Sequence, residues 1–203
     1  PEEIFRKALE LGIVNMNIPE EYGGIGATTF EEVLVAEEIG FGCTGIGTSI
    51  STNGLGALPI ILGGNDQQKA HWLGDRLMDN GEFVSYGVTE AAAGSNVVGI
   101  ETRAEKKNGS YIINGSKTFI TNATHADFFT VFAKTDPNAG HRGMSCFIID
   151  RNMPGVSVGK KFDKLGQRAS DTAEIVFENV EVPAENLVGE EGRGFSLALK
   201  VFD

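Results

Sequence analysis

Cysteine is scarce in this 203-residue chain, which has two, Cys43 and Cys146. Two thiols so far apart build neither a disulfide framework nor a zinc site, and a reducing compartment is the default expectation. Histidine is also thin: His71, His125 and His141 are scattered, and no metal site is expected from them. Positive charge is in deficit, with 17 basic against 28 acidic residues and a formal net charge of -11. Such a chain repels nucleic acid and anionic membranes unless its bases cluster. The short runs Lys106-Lys107 and Lys160-Lys161 read as solvated loops. No uninterrupted apolar run approaches the ~18 residues of a membrane span. There is no P-loop, and no G-x-S-x-G nucleophile elbow. Glycine, by contrast, is plentiful, at 27 residues, well above the average of ~7 %. Its spacing has no period, which excludes collagen and points to tight turns and close backbone approaches. With 41 % hydrophobic and 22 % charged residues, the remainder is ordinary material for a packed core.

The first part of the chain reads as helix. Ile4, Phe5, Ala8, Leu9 and Leu11 suggest one apolar face. Thr29-Phe30-Glu31-Glu32 reads as a capping box with Thr29 at the N-cap, followed by a stripe of Val33, Leu34, Ala36 and Ile39 that Gly40 should end. Residues 44–62 form a small-residue helix, and Asn65-Asp66 should cap a third. From about residue 83 the pattern alternates with period two. Strands are expected at 84–88, 99–106, 110–114, 117–121, 127–134, 144–150, 155–159 and 174–182. Asn108-Gly109 and Asn114-Gly115 should supply tight hairpin turns. The expected fold class is therefore α+β: a helical domain over 1–82, then an antiparallel, barrel-like β-domain over 83–189. Residues 190–203 are a linker and the first turns of a further apolar helix. That helix has no capping Gly or Asn within the sequence, so the chain is expected to be a fragment of a longer protein.

Three stretches carry chemical possibilities. Gly40-Phe41-Gly42-Cys43-Thr44-Gly45 matches G-x-G-x-x-G, but no strand precedes it and no βαβ unit surrounds it. It reads as a link between helices. In Tyr86 to Asn96 a strand runs into small residues and hydroxyls, including Thr89, Gly94 and Ser95. Small side chains let a flat or phosphorylated ligand reach backbone N–H donors, although a plain structural loop would look the same. In Phe119-Ile120-Thr121-Asn122, Phe119 and Thr121 share one face of a strand. That pairing suits either a stacked ring with a polar edge or a core-facing Phe.

These stretches, in this order, resemble the acyl-CoA dehydrogenase family, with the nearest likeness to its medium-chain members. Tyr86-Gly87-Val88-Thr89-Glu90 with Ala93-Gly94-Ser95 resembles the family's flavin loop. Ile112 through Asn122 is similar to its I-N-G-x-K-x-W-I-T-N pattern. Gly166 to Thr172, Phe177-Glu178-Asn179-Val180 and Asn65 to Lys69 follow in family order. The resemblance implies FAD as cofactor and dehydrogenation of acyl-CoA thioesters to trans-2-enoyl-CoA. It implies that Tyr86, Val88, Thr89, Gly94, Ser95, Phe119, Ile120 and Thr121 hold the flavin, with Thr89 on its pyrimidine edge, Ser95 at the pyrophosphate, Phe119 on the ring face and Thr121 donating near N5. Ser95 and Asp203 would touch the CoA moiety, and Gly47 and Ser51 would wall the acyl tail. An electron-transfer flavoprotein partner, a homotetramer, and a mitochondrial matrix location (or bacterial cytoplasm) are implied by the same likeness. Three positions depart from the pattern: Ala91 for Pro, Asn96 for Asp and Phe119 for Trp. The family's catalytic glutamate falls beyond Asp203, so no catalytic residue is assigned, Glu90 included, and the piece is expected to be inactive alone. The competing readings are a non-catalytic acyl-CoA- or partner-binding relative, and an oxidase on the same fold.

Overall fold

The computed structural model describes residues 2–202. Helix α1 (Glu2–Glu10) buries Phe5 and Ala8, but Ile4 and Leu11 of the expected face are exposed. Helix α2 (Thr29–Gly63) begins one residue earlier than the spacing suggested. Thr28 is the N-cap: its hydroxyl accepts from Glu31 N at 3.4 Å, while Glu31 Oε2 accepts from Thr28 N at 2.8 Å. Thr-Thr-Phe-Glu-Glu contains two overlapping boxes, and the chain uses the first. Gly40 does not end α2. The break comes at Cys43 (φ −162°, ψ 109°), after which the helix resumes. The G-x-G-x-x-G run is thus a helix kink, as its context implied.

By length and composition α2 could cross a bilayer. Its first half, to Thr44, buries no residue, and its second half is packed into the body of the protein. A Cβ on Gly56 would lie 2.9 Å from Val84 O, one on Gly54 3.1 Å from Asn17 Oδ1, and one on Gly45 3.2 Å from Gln167 C. The buried Asn53 side chain donates to Asn15 Oδ1 at 2.9 Å and accepts from Val84 N at 2.7 Å. Small residues here let the helix approach its neighbours closely. Helix α3 (Asp66–Gln68) is capped by Asn65 and continues as a π-helical stretch over Lys69–Asp79. The Gln68 amide donates to Glu185 O and Leu187 O at 2.7 and 2.8 Å, tying this helix to the far end of the sheet.

Eight strands follow: β1 (Val84–Gly87), β2 (Arg103–Lys107), β3 (Ser110–Thr121), β4 (Phe128–Lys134), β5 (Met144–Asp150), β6 (Val156–Val158), β7 (Thr172–Pro183) and β8 (Leu187–Val188). The sheet order is β6-β7-β3-β2-β4-β5-β8, with β1 also on β4. Two expectations need correction. The sheet is mixed, because β1 and β2 each pair with β4 in parallel, and it is not closed into a barrel. The 110–114 and 117–121 segments are one strand, and Asn114-Gly115 is a bulge within it. There Gly115 has φ +145°, and a Cβ would sit 2.7 Å from Thr102 Cα, so only glycine fits. Asn108-Gly109, with φ +52° and +85°, does make the hairpin between β2 and β3.

Two cores meet on β4 and β5. Phe128, Phe132, Cys146 and Ile148 pack with Trp72, Leu73, Leu77 and Ile60 of the helices. Phe129, Val131, Phe147 and Ile149 pack with Tyr111, Ile113, Ile175 and Phe177. Tyr111 of β3 lies 4.9 Å from Phe147 of β5, although two strands separate them in the sheet. The sheet therefore curls over on itself, and β4 is buried on both faces. Helix α4 (Gly194–Phe202) closes the described chain by packing Leu197 and Ala198 into the first core.

Candidate active site

The site is built where β1 runs out beside the bulged end of β3. Val88 and Thr89 continue past Gly87, and the chain then turns tightly, with Glu90 and Ala93 exchanging backbone bonds of 3.0 and 3.1 Å. Ala91, Ala92, Gly94, Ser95 and Asn96 are exposed on the loop that follows, while Ala93 is buried beneath them. Space around Gly94 is open: a Cβ there would meet nothing within 4 Å.

Opposite this loop, the register of β3 against β7 slips between Lys117 and Ile120. The slip is made by Phe119, which adopts φ +57°, and the segment ends at Asn122 with φ +60°. Left-handed backbone at a bulky aromatic is uncommon and costs ~1–2 kcal/mol. It turns Phe119 outward to 67 % exposure, between the buried Thr118 and Ile120, with its ring 5.4 Å from that of Phe162. A core-facing Phe119 is thereby excluded. Thr121 is half-buried. Three hydrogen bonds hold the two segments and the helical domain together. Thr118 N donates to Thr89 O at 2.9 Å, Ser85 Oγ to Thr121 O at 2.8 Å, and Asn122 Nδ2 to Ser49 O at 2.7 Å.

Beneath the loop lies an ion pair that period-two reading missed. Lys117 is fully buried; its Nζ lies 2.6 Å from Glu90 Oε1 and donates to Val88 O at 3.2 Å. The Glu90 carboxylate also accepts from Glu101 N at 2.5 Å and Thr102 N at 3.0 Å. Burial raises the Glu90 pKa, but Lys117 and these donors outweigh it and leave the group below the usual carboxylate value. Burial lowers Lys117 to about 8 against the pull of Glu90. With all its donors internal, Glu90 is not placed to act as a base. A lysine one residue before Thr-Phe in an otherwise core-bound strand was the available signal. Its partner, 27 residues earlier, was not readable from spacing.

The remaining positions divide cleanly. Tyr86, Val88 and Ile120 are buried. The Tyr86 ring packs at 5.5 Å from Phe132 and 6.1 Å from Phe202, and its hydroxyl has no hydrogen-bond partner among the described residues. Gly47 and Ser51 line one groove of about 360 Å³ on α2, together with Ala36, Gly40, Thr48 and Leu55. Asp203 lies outside the described residues.

Family patterns match nearly the whole chain: the acyl-CoA dehydrogenase N-terminal domain over residues 1–78 and the acyl-CoA dehydrogenase middle domain over 85–180. The chain belongs to the acyl-CoA dehydrogenase family. It is 46 % identical over 207 residues to a probable medium-chain specific acyl-CoA dehydrogenase 2, mitochondrial, of Caenorhabditis briggsae, covering 100 % of this chain and 50 % of that protein. Among solved structures it is similar to butyryl-CoA dehydrogenase from Megasphaera elsdenii (TM-score 0.93, 38 % identity, 99 % of this chain and 54 % of that one). It is also similar to an acyl-CoA dehydrogenase complexed with FAD from Bacillus anthracis (TM-score 0.89, 36 % identity, 98 % of this chain and 34 % of that one). The chain thus spans about half the length of the curated relatives it matches.

Proposed function

We propose that this chain forms the flavin-holding part of an FAD-dependent enzyme that dehydrogenates acyl-CoA thioesters to trans-2-enoyl-CoA. One observation carries the reading: the Ser85–Ser95 and Thr118–Thr121 segments, far apart in sequence, are hydrogen-bonded side by side through Thr118 N to Thr89 O and Ser85 Oγ to Thr121 O, and Phe119 is turned outward beside them. The residues suit a flavin. An exposed aromatic plane can stack on its ring, the Thr89 and Thr121 hydroxyls can meet its polar edge, and an open Gly94-Ser95 turn can donate to phosphate. When bound, FAD supplies hydride acceptance. The chain's own residues orient it: Phe119 covers one ring face, Thr121 donates toward it, and Ser95 anchors the pyrophosphate and adjoining CoA. Tyr86, Val88 and Ile120, being buried, form the floor beneath these contacts. Gly47 and Ser51 wall the acyl groove, and Asp203 contributes to the CoA end.

In this reading residues 1–82 and 83–189 are the two domains that flank the site, and 190–203 lead into a third. No general base is assigned within the 203 residues, so the chain alone turns over no acyl-CoA. The whole enzyme passes electrons to an electron-transfer flavoprotein and assembles as a homotetramer. Both a mitochondrial and a bacterial setting are represented among its relatives. The test is to titrate the purified chain with FAD, follow the flavin's fluorescence and absorbance, and then add octanoyl-CoA and an artificial electron acceptor. Saturable binding that Thr121→Ala and Ser95→Ala weaken, without enoyl-CoA release, is expected. Turnover at ordinary enzyme rates, or no flavin binding at all, overturns the reading.

A further inference from the structure

We infer that Glu90 and Lys117 are positioning residues, whose buried ion pair locks the Thr89–Thr102 loop onto β3 and so sets the spacing between the two halves of the cradle. The flavin reading above supplies the ligand; the lock itself stands on geometry. Within the loop, order comes from the paired Glu90–Ala93 backbone bonds and a 3-10 turn over Val97–Gly99, but neither fixes the loop's distance from β3. Five of the seven residues from Ala91 to Val97 are exposed, and Ala93 and Ile100 are its buried apolar anchors. One carboxylate ties down both of its ends, being covalently next to Thr89 at the start and accepting the Glu101 and Thr102 amides at the finish. The same carboxylate takes Lys117 Nζ from β3, two residues before Phe119. Lys117 in turn reaches back to Val88 O, and the Thr118 amide bonds Thr89 O. Three chain segments therefore converge on one 2.6 Å contact.

Hydrophobic residues of the same volume would fill this space at less desolvation cost, because two charges lose their water here. What charges supply and apolar contacts do not is direction. Each of these bonds has one geometry, so the loop can close in only one register against the bulge. A pair serving stability alone could sit anywhere in the core. This one adjoins Thr89 on one side and the Phe119 bulge on the other.

The test uses the full chain carrying Glu90→Gln and Lys117→Met together, which removes both charges at nearly constant volume and leaves an acceptor for the loop amides. Amide hydrogen exchange without FAD, and FAD affinity with the bound flavin's absorption spectrum, are both measured. Exchange at Thr102 and Thr118 should quicken at least 10-fold while β4 and β5 stay protected. FAD affinity should fall at least 10-fold, with the bound spectrum moving toward that of free flavin. Exchange within 2-fold of the parent overturns the inference, as does loosened exchange with affinity and spectrum unchanged. If the double variant does not fold, Glu90→Gln alone is read against the same criteria at a 3-fold threshold, since Lys117 can then shed its proton. A parent chain that binds no FAD defeats the cofactor reading instead, and exchange alone then judges the lock.

Discussion

Replacing Phe119 with glycine separates a residue that holds the fold from one that faces a ligand. The present structure puts Phe119 at φ +57° with two-thirds of its surface in solvent. Glycine at that φ relieves ~1–2 kcal/mol of backbone strain. Against this stand ~0.5–1 kcal/mol for glycine's greater freedom in the unfolded chain and ~0.5 kcal/mol for the lost ring contact with Phe162. These terms nearly cancel, so Phe119→Gly should change stability by about 1 kcal/mol or less in either direction. A core phenylalanine removed from this sheet, such as Phe128 or Phe147, would instead cost ~3–5 kcal/mol. Urea unfolding followed by circular dichroism reads the difference as a midpoint shift at constant slope. In the same preparation FAD affinity should drop at least 10-fold, because the stacking plane is gone. A loss of ~3 kcal/mol or more on unfolding would refute the reasoning, since it would mean that the ring is packed rather than presented.

Two further outcomes follow from the buried polar groups. Tyr86→Phe removes a hydroxyl that is buried without a partner among the described residues, so the chain should gain ~1–2 kcal/mol, read as a Tm rise of a few degrees; a fall in Tm would show that the hydroxyl is satisfied. The ion pair shapes the pH profile at both ends. The folded Glu90 pKa lies below its unfolded value, so its contribution is complete above the ordinary value of ~4.3 and is lost as pH falls through the folded one. Lys117 works the other way: lowered to about 8 by burial, it binds its proton less tightly folded than unfolded, so its own contribution should rise with pH from about 8 toward the ordinary lysine value of ~10.4, opposed by Cys146 and Tyr86, whose pKa values burial raises. The difference in Tm between the parent and the Glu90→Gln, Lys117→Met chain should show both limbs, because limbs set by other shifted groups such as Glu31 and Lys164 are common to the two.

How much of this was legible depended on whether one physical rule acted alone. Asn108-Gly109 makes its hairpin because nothing competes with its left-handed preference. Asn65, in extended backbone, caps its helix through its side chain, whose oxygen accepts from Gln68 N at 2.8 Å. The sheet's curl was hidden because its evidence is a shared core: Phe128 and Phe129 are both buried, so β4 carries no alternation to read. The parallel pairing of β1 with β4 is a long-range choice that local patterning does not encode. The small residues of α2 have two uses at once. Gly45, Gly54 and Gly56 meet neighbouring chain closely, whereas Gly47 and Ser51 line the groove. Composition alone treats them as one stripe.

The reading of β3 failed at its two bulges, and the second of them lies in the candidate site. A regular strand from Ser110 to Thr121 would alternate sides throughout. Lys117 and Phe119 would then share one face, and the ring would be buried beside the lysine. The slip at Phe119 breaks that symmetry. Lys117 keeps its reach to Glu90 and the Thr118 backbone amide its bond to Thr89 O, while the aromatic ring between two buried neighbours is turned into solvent. A strained aromatic left exposed is disfavoured both by its backbone and by its surface, and neither loss is recovered within the described residues. Local rules are expected to fail where a fold gives up regularity to present a group. That the failure falls beside the ligand-competent loop is why the flavin reading rests on Phe119 rather than on the better-hidden residues around it.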